Sequence, residues 1–174
     1  AMVRLWARLV VVLLRAVVGV RLELRGMERI PAGGCVIAAK HQSAFDTVIW
    51  LGLLPDPAYV LKKELLSIPL YGWHCRKLRM IPVDLEGGGP ALRAMLRKSL
   101  EAVGSSAPVI PVATDSGRIW GRRAFHKRPG VIRISVLPAL PPKLNRAALL
   151  AALEDAIETE TAALLAEPVD RSVH

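Results

Sequence analysis

A layered α/β domain, with a mostly parallel central sheet flanked by helices, is predicted by three features of the sequence. Short apolar runs rich in Val, Ile and Ala alternate with longer stretches of helical periodicity. Pro and Gly clusters punctuate the boundaries, as at Pro55-Asp56-Pro57 and Gly87-Gly88-Gly89-Pro90. The 174 residues show no internal repeat and no linker long enough to set off a second domain, which places everything on one folding unit.

The elements follow in order. Residues 1–20 form an amphipathic helix, with Arg4, Arg8 and Arg15 within a narrow arc and Trp6, Leu9, Leu13, Val17 and Val20 away from it. The longest uncharged run there, Leu9 to Leu14, is far too short to span a bilayer. An arginine stripe opposite Trp, Leu and Val describes a helix lying in a membrane interface; a plain packing helix is the competing reading. Residues 21–168 form the main domain and 169–174 a frayed tail. Arg21 to Arg25 alternates as an edge strand, and Val36 to Ala39 reads as a central strand. Phe45 to Leu54 is a helix stopped by Pro55, and Ala58 to Leu61 is a short strand. A helical, proline-interrupted segment runs from Lys63 to Leu78, followed by a strand from Met80 to Val83 and a helix ending at Val103. Val109 to Ala113 and Val131 to Leu137 are strands, and Arg146 to Ala166 is the last amphipathic helix.

A net charge of +9 suits either a nucleic-acid backbone or an anionic membrane surface. Two distant cysteines, Cys35 and Cys75, with no paired ligand spacing, argue against a disulfide or zinc site and for a reducing compartment. Arginines interrupt the first apolar stretch and no small-residue site closes it, so no cleavable signal peptide is expected. No pair of histidines has metal-ligand spacing, and no metal is expected.

The sharpest chemical signal is Lys40-His41-Gln42-Ser43-Ala44-Phe45-Asp46, between a predicted strand and a predicted helix. With His41 on the turn and Asp46 in the first helical turn, the carboxylate can reach the imidazole. A base held in one tautomer by an acid is what proton removal from an alcohol requires. Ser43-x-x-Asp46 equally reads as a capping-box variant, with Ser43 as N-cap. Carboxyl ends of strands in such sheets collect chemistry, and His41 and the loops after Val83 and Ala113 all fall there.

His41-x4-Asp46 is followed by Lys63-Glu64-Leu65, Pro69, Gly72-Trp73, Met80-Ile81-Pro82-Val83-Asp84 and Ile110-Pro111-Val112-Ala113-Thr114-Asp115-Ser116-Gly117. In that order, from about Leu22 to Pro142, the chain resembles the glycerolipid acyltransferase superfamily, and within it bacterial lysophosphatidic acid acyltransferases. His41 and Asp46 match the first motif, Lys63 to Asp84 the approach to the second, and Ile110 to Gly117 the fourth. Gly121-Arg122-Arg123-Ala124-Phe125 and Lys127-Arg128-Pro129-Gly130 continue a pattern of the same branch. The resemblance implies an O-acyltransferase of phospholipid biosynthesis with no bound cofactor. Acyl-CoA or acyl-ACP would be the thioester donor, a lysophospholipid the acceptor, and an anionic membrane surface the setting. It implies His41 as general base and Asp46 as its orienting acid, with Arg79, Arg118 and Arg122 as candidate phosphate ligands. Lys63, Pro82, Asp84, Ser116 and Gly117 are the remaining motif positions. It places the chain at the cytoplasmic face of the cell membrane, peripheral or anchored.

Two departures stand out. Leu85 occupies the place of the second motif's arginine, and Arg79 that of its opening glycine. The third motif, Phe-Pro-Glu-Gly-Thr-Arg on its own strand, is absent: the chain runs from Val103 through Gly104-Ser105-Ser106-Ala107 straight to the fourth. Either a strand–helix unit is deleted, or the chain is discontinuous there. A discontinuity is the favoured expectation, with one Cα step far beyond the usual ~3.8 Å and a vacant strand position beside Val36–Ala39 or Val109–Ala113. A true deletion would favour a catalytically impaired relative that binds lipid or membrane.

Other signals carry less. Asp115-Ser116-Gly117 imitates an aspartic-protease turn, but such enzymes need two facing aspartates on an all-β frame; a strand-ending turn with Gly117 at positive φ is expected instead. Gly87-Gly88-Gly89 lacks the Lys-Ser/Thr partner of a phosphate loop and reads as a flexible loop. The cluster Arg118, Arg122, Arg123, Lys127 and Arg128, interleaved with Trp120 and Phe125, has the generic footprint of a nucleic-acid binder without a recognition module. Lipid-phosphate contact is preferred, and no nucleic-acid partner is expected.

Overall fold

The computed structural model describes residues 2–69, 71–84, 89–104, 106–121 and 128–168. These form a mixed α/β structure that divides into two compact units, 1–55 with 108–174, and 56–107.

The first unit holds a four-stranded sheet in the order β1-β6-β5-β2, where β1 is Val20–Arg25, β2 Val36–Ala39, β5 Val109–Thr114 and β6 Gly130–Val136. The pairs β1–β6 and β2–β5 are parallel and β5–β6 is antiparallel. Every residue of β5 and β6 is buried, which explains why both read as near-continuous β-branched runs rather than as alternating ones. The helix α5 (Arg146–Ala166) lies against β5 and buries Leu153, Thr161 and Leu164. Asn145 caps it, its side-chain oxygen accepting from the Ala148 N–H at 2.9 Å.

Gly26 shows why the exit from β1 needs glycine. Its φ is +73°, and a Cβ there would stand 2.2 Å from the Val136 carbonyl oxygen.

The helices α1 (Met2–Leu13) and α2 (Ala44–Leu53) pack on each other, and a wide helical turn over Leu14–Val18 joins α1 to β1. The N-terminal helix has three faces rather than two. Ala7 and Leu14 are buried, Arg8 and Arg15 are exposed, and Leu5, Trp6, Leu9, Val12, Leu13 and Val17 are exposed apolar side chains. Val20, expected on that apolar face, is instead buried as the first residue of β1. No helix among the described residues is long and apolar enough to cross a membrane.

The second unit holds the parallel pair β3 (Val60–Lys62) and β4 (Ile81–Val83), with a 3-10 segment over Lys63–Ser67 and the helices α3 (Tyr71–Lys77) and α4 (Gly89–Val103). The proline-interrupted helical segment expected from Lys63 to Leu78 is thus two helical pieces. Gly72 packs so closely on the first that a Cβ would meet the Leu66 carbonyl oxygen at 2.0 Å.

One expectation about the sheet is corrected. Among the described residues Val36–Ala39 is an edge strand, not a central one, because β5 is its one partner in the sheet. Just before β5, the Ala107 N–H donates to the Gly104 carbonyl at 3.0 Å. β5 has partners on both sides, and the Val36 N–H donates to the Pro108 carbonyl at 3.0 Å at the start of the β2–β5 ladder.

Candidate functional site

Because β2 and β5 are parallel, the loops after Ala39 and Thr114 emerge at the same edge of the sheet. The first carries His41 and the second carries Asp115, Ser116 and Gly117. Ser43 takes an extended conformation (φ −153°, ψ 166°) and starts α2, placing Asp46 in the first helical turn. Asp46 Oδ2 accepts from the Gln42 N–H at 2.7 Å and from the Ser43 N–H at 2.8 Å. The same oxygen lies 3.7 Å from His41 Nδ1. Both sequence readings therefore describe one carboxylate: it caps the helix and it faces the imidazole. The imidazole is exposed, at 59% of its side-chain surface, whereas the Asp46 side chain retains 9%. The 3.7 Å separation is longer than a hydrogen bond. It leaves Nε2 as the nitrogen farther from the carboxylate.

The second loop is fastened to the first. Gln42 Nε2 donates to the Thr114 carbonyl at 2.8 Å, and Gln42 Oε1 accepts from the Gly117 N–H at 3.2 Å. The Ser43 and Ser116 hydroxyls are 3.2 Å apart, both buried. Gly117 does not adopt the expected positive φ. A Cβ there would stand 2.8 Å from Gln42 Oε1, so a larger residue would have to displace that amide.

Beneath this edge is a charged network that the sequence reading missed. Asp115 Oδ1 accepts from the Arg133 N–H at 2.7 Å and Oδ2 pairs with Arg133 Nη1 at 3.0 Å. Arg133 Nε also lies 2.9 Å from Glu167 Oε2, and Nη2 donates to the Pro168 carbonyl at 2.8 Å. Arg25 holds Glu167 through both carboxylate oxygens, at 2.6 and 2.9 Å, and keeps its carboxyl below the usual glutamate range. One signal was available: Arg133 is the single charge in a buried strand whose other residues are Gly, Val, Ile and one Ser.

Arg118, a candidate phosphate ligand, points Nη1 at the C-terminal end of α5, donating to the carbonyls of Leu165 at 3.1 Å and Glu167 at 2.9 Å. That is the favourable place for a cation on a helix. Arg122, with Arg123, Phe125 and Lys127, lies outside the described residues, as do Leu85 and Gly87-Gly88.

The remaining motif positions belong to the second unit. Lys63 and Asp84 follow β3 and β4, whose parallel register aligns Lys62 with Val83, and their side chains form an ion pair. Pro82, which has no N–H to contribute, gives its carbonyl to Lys98 Nζ at 2.8 Å. Arg79 is exposed at φ +55°, a left-handed conformation that costs a residue with a Cβ.

Among the described residues no group of three His, Cys, Asp or Glu side chains is placed to hold a metal ion. Cys35 and Cys75 are free thiols, and burial pushes the Cys35 thiol up from its ordinary value.

Comparisons with known proteins identify relatives of the whole chain. A 1-acyl-sn-glycerol-3-phosphate acyltransferase of Pseudomonas aeruginosa is 29% identical over 202 aligned residues, which cover 97% of this chain and 79% of that protein. The alignment is longer than the 174-residue chain, so the relative contains residues without a counterpart here. The crystal structure of the 1-acyl-sn-glycerophosphate (LPA) acyltransferase PlsC from Thermotoga maritima shares the fold, with a TM-score of 0.73 at 19% identity, covering 97% of this chain and 80% of that one. The Acyltransferase family model matches residues 21–137, from β1 through the His41 loop to the end of β6, and the chain belongs to that family.

Proposed function

We propose that this acyltransferase moves a fatty acyl group from a thioester, acyl-CoA or acyl-ACP, to the free hydroxyl of lysophosphatidic acid, giving phosphatidic acid. The match of the family model across the His41–Asp46 loop carries this reading. A thioester is already activated, so no protein nucleophile is needed. Nε2 of His41 takes the hydroxyl proton as the oxygen attacks the thioester carbonyl. The new C–O bond forms, the C–S bond breaks, and the departing thiolate receives the proton from the imidazolium. Asp46 faces Nδ1 and stabilises the charged imidazole during that interval. Its 3.7 Å separation suits a contact that tightens when substrate arrives, since such bonds are often long in unliganded sites.

The exposed apolar face of α1, bordered by Arg4, Arg8 and Arg15, supports a peripheral placement on the anionic cytoplasmic leaflet, where both substrates' acyl chains are at hand. Replacing the three arginines by glutamate should weaken flotation with anionic vesicles. Unchanged flotation would leave α1 as a packing helix only.

A second reading rests on the direct β2–β5 pairing together with the absence of the third motif. On that reading the chain binds lipid without turning it over. Purified protein incubated with radiolabelled acyl thioester and lysophosphatidic acid decides between the two. Labelled phosphatidic acid, lost in His41→Ala, supports transfer. Vesicle binding without product supports the second reading, and product retained in His41→Ala removes His41 from the mechanism.

A further inference from the structure

Little holds His41 itself. Its imidazole is mostly exposed, its distance to Asp46 exceeds a hydrogen bond, and residues 40–42 belong to neither strand nor helix. Its neighbour is held from three directions. The Gln42 N–H donates to Asp46 Oδ2 at 2.7 Å, the amide nitrogen donates to the Thr114 carbonyl, and the amide oxygen accepts from the Gly117 N–H. One side chain thus ties the loop carrying His41 to residues 114–117.

That second segment is a rigid anchor. Thr114 ends a fully buried strand, and its hydroxyl accepts from the Ser116 N–H at 3.1 Å. Asp115 is locked to Arg133 in the middle of β6 through both carboxylate oxygens. Gly117 admits the amide because it carries no Cβ.

We infer that Gln42 is the positioning residue of the site: its carboxamide, clamped between Thr114 and Gly117, fixes where the His41 imidazole stands relative to Asp46. This rests on the acyl-transfer reading for its effect on rate, but the clamp can be read without turnover. A misplacement of about 1 Å can cost on the order of 10²-fold in rate, so a clamp one residue from the base is enough to matter.

Two substitutions reach the clamp from opposite sides. Gln42→Ala removes the carboxamide, and Gly117→Ala drives a methyl against its oxygen. Gln42→Ala is expected to lower kcat by about 10- to 100-fold with KM for both substrates within about twofold. Gly117→Ala should lower kcat in the same way by less. The double variant should match Gln42→Ala alone, since both act on one contact. The imidazole proton resonances of His41, assigned by their loss in His41→Ala, should move in the same direction in both single variants.

An unchanged kcat in Gln42→Ala, losses that multiply in the double variant, or a loss confined to KM would each overturn the inference. So would His41 resonances that stay in place in both variants. If the wild-type protein shows no transfer, the proposed function fails instead, and the resonances alone decide the clamp. Gly117→Ala keeps every polar group of the loop, so it remains informative should Gln42→Ala fold poorly.

Discussion

The two units of this acyltransferase hold their motif residues by opposite means. In the first, motif positions stand on a buried frame: Asp115 and Arg133 retain 1% and 7% of their side-chain surface, and the adjoining strands are buried throughout. In the second, Lys63 and Asp84 form an ion pair with 55% and 50% of their surfaces exposed, just after two strands of three residues each. The same chemistry, a cation beside a carboxylate, is therefore a fixed part of the fold in one place and a screened surface contact in the other. Preorganisation of the proposed base belongs to the first unit.

The largest test of that contrast is on rate. His41→Ala should lower transfer by about 10²–10⁴-fold, the range for a positioned base, while its exposure predicts an unchanged melting temperature. Lys63→Ala should cost far less. Comparable losses in the two would mean that the exposed pair takes part in chemistry as directly as His41, and the contrast would fail.

Stability gives the next largest effect. Asp115→Ala takes from the Arg133 guanidinium its one fully buried carboxylate and leaves it the more exposed Glu167 and Glu23, so the cost should approach the low end of the about 3–5 kcal/mol typical of one-sided removal from a buried pair. Asp84→Ala removes an exposed partner and should cost about 1 kcal/mol or less. Urea unfolding of both variants measures the difference directly, and equal costs would show that exposure does not govern these pairs.

Gly72→Ala asks whether the second unit is tolerant everywhere. Its Cβ would collide with backbone rather than a movable side chain, so about 1–3 kcal/mol should be lost as α3 shifts from the 3-10 segment before it. A neutral substitution would show that this contact yields easily. A loss near the upper end would show that the second unit has one rigid joint within an otherwise compliant surface.

How much of this was legible in the sequence follows the same division. The strands β5 and β6 were readable because burial imposes apolar, β-branched composition, and β1 because its residues alternate; α5 has the bounds expected of it, Arg146–Ala166. His41 and Asp46 were readable because a turn and a cap fix their spacing locally. The partnership of Asp115 with Arg133 was not, since the two are 18 residues apart and meet through an antiparallel register that no local pattern reveals. Gln42 was passed over because an amide one residue from a histidine has no spacing of its own; its partners lie 72 and 75 residues away. The edge position of β2 was missed for a related reason. Its composition suits a central strand, yet among the described residues β5 is its one partner in the sheet, and no local pattern sets how many neighbours a strand acquires.

The smallest effect expected is also the one that separates two roles for a single residue. Arg79 sits at φ +55°, where a Cβ crowds the following carbonyl, at about 1–2 kcal/mol relative to a residue without one. Arg79→Gly relieves that crowding but frees the unfolded chain, so the net gain should be near 1 kcal/mol. If strain is the whole account, the variant unfolds at higher urea and its KM for lysophosphatidic acid is unchanged. If the arginine is retained at this strained position because it meets the acceptor's phosphate, the same gain in stability comes with a rise in that KM, because a charge-assisted contact to phosphate has been removed. A variant that is no more stable than wild type would refute the strain argument itself, whatever happens to KM. A strained, exposed arginine in the tolerant unit is where a fold can exchange a little stability for a ligand contact, and this substitution measures both sides of that exchange in one protein.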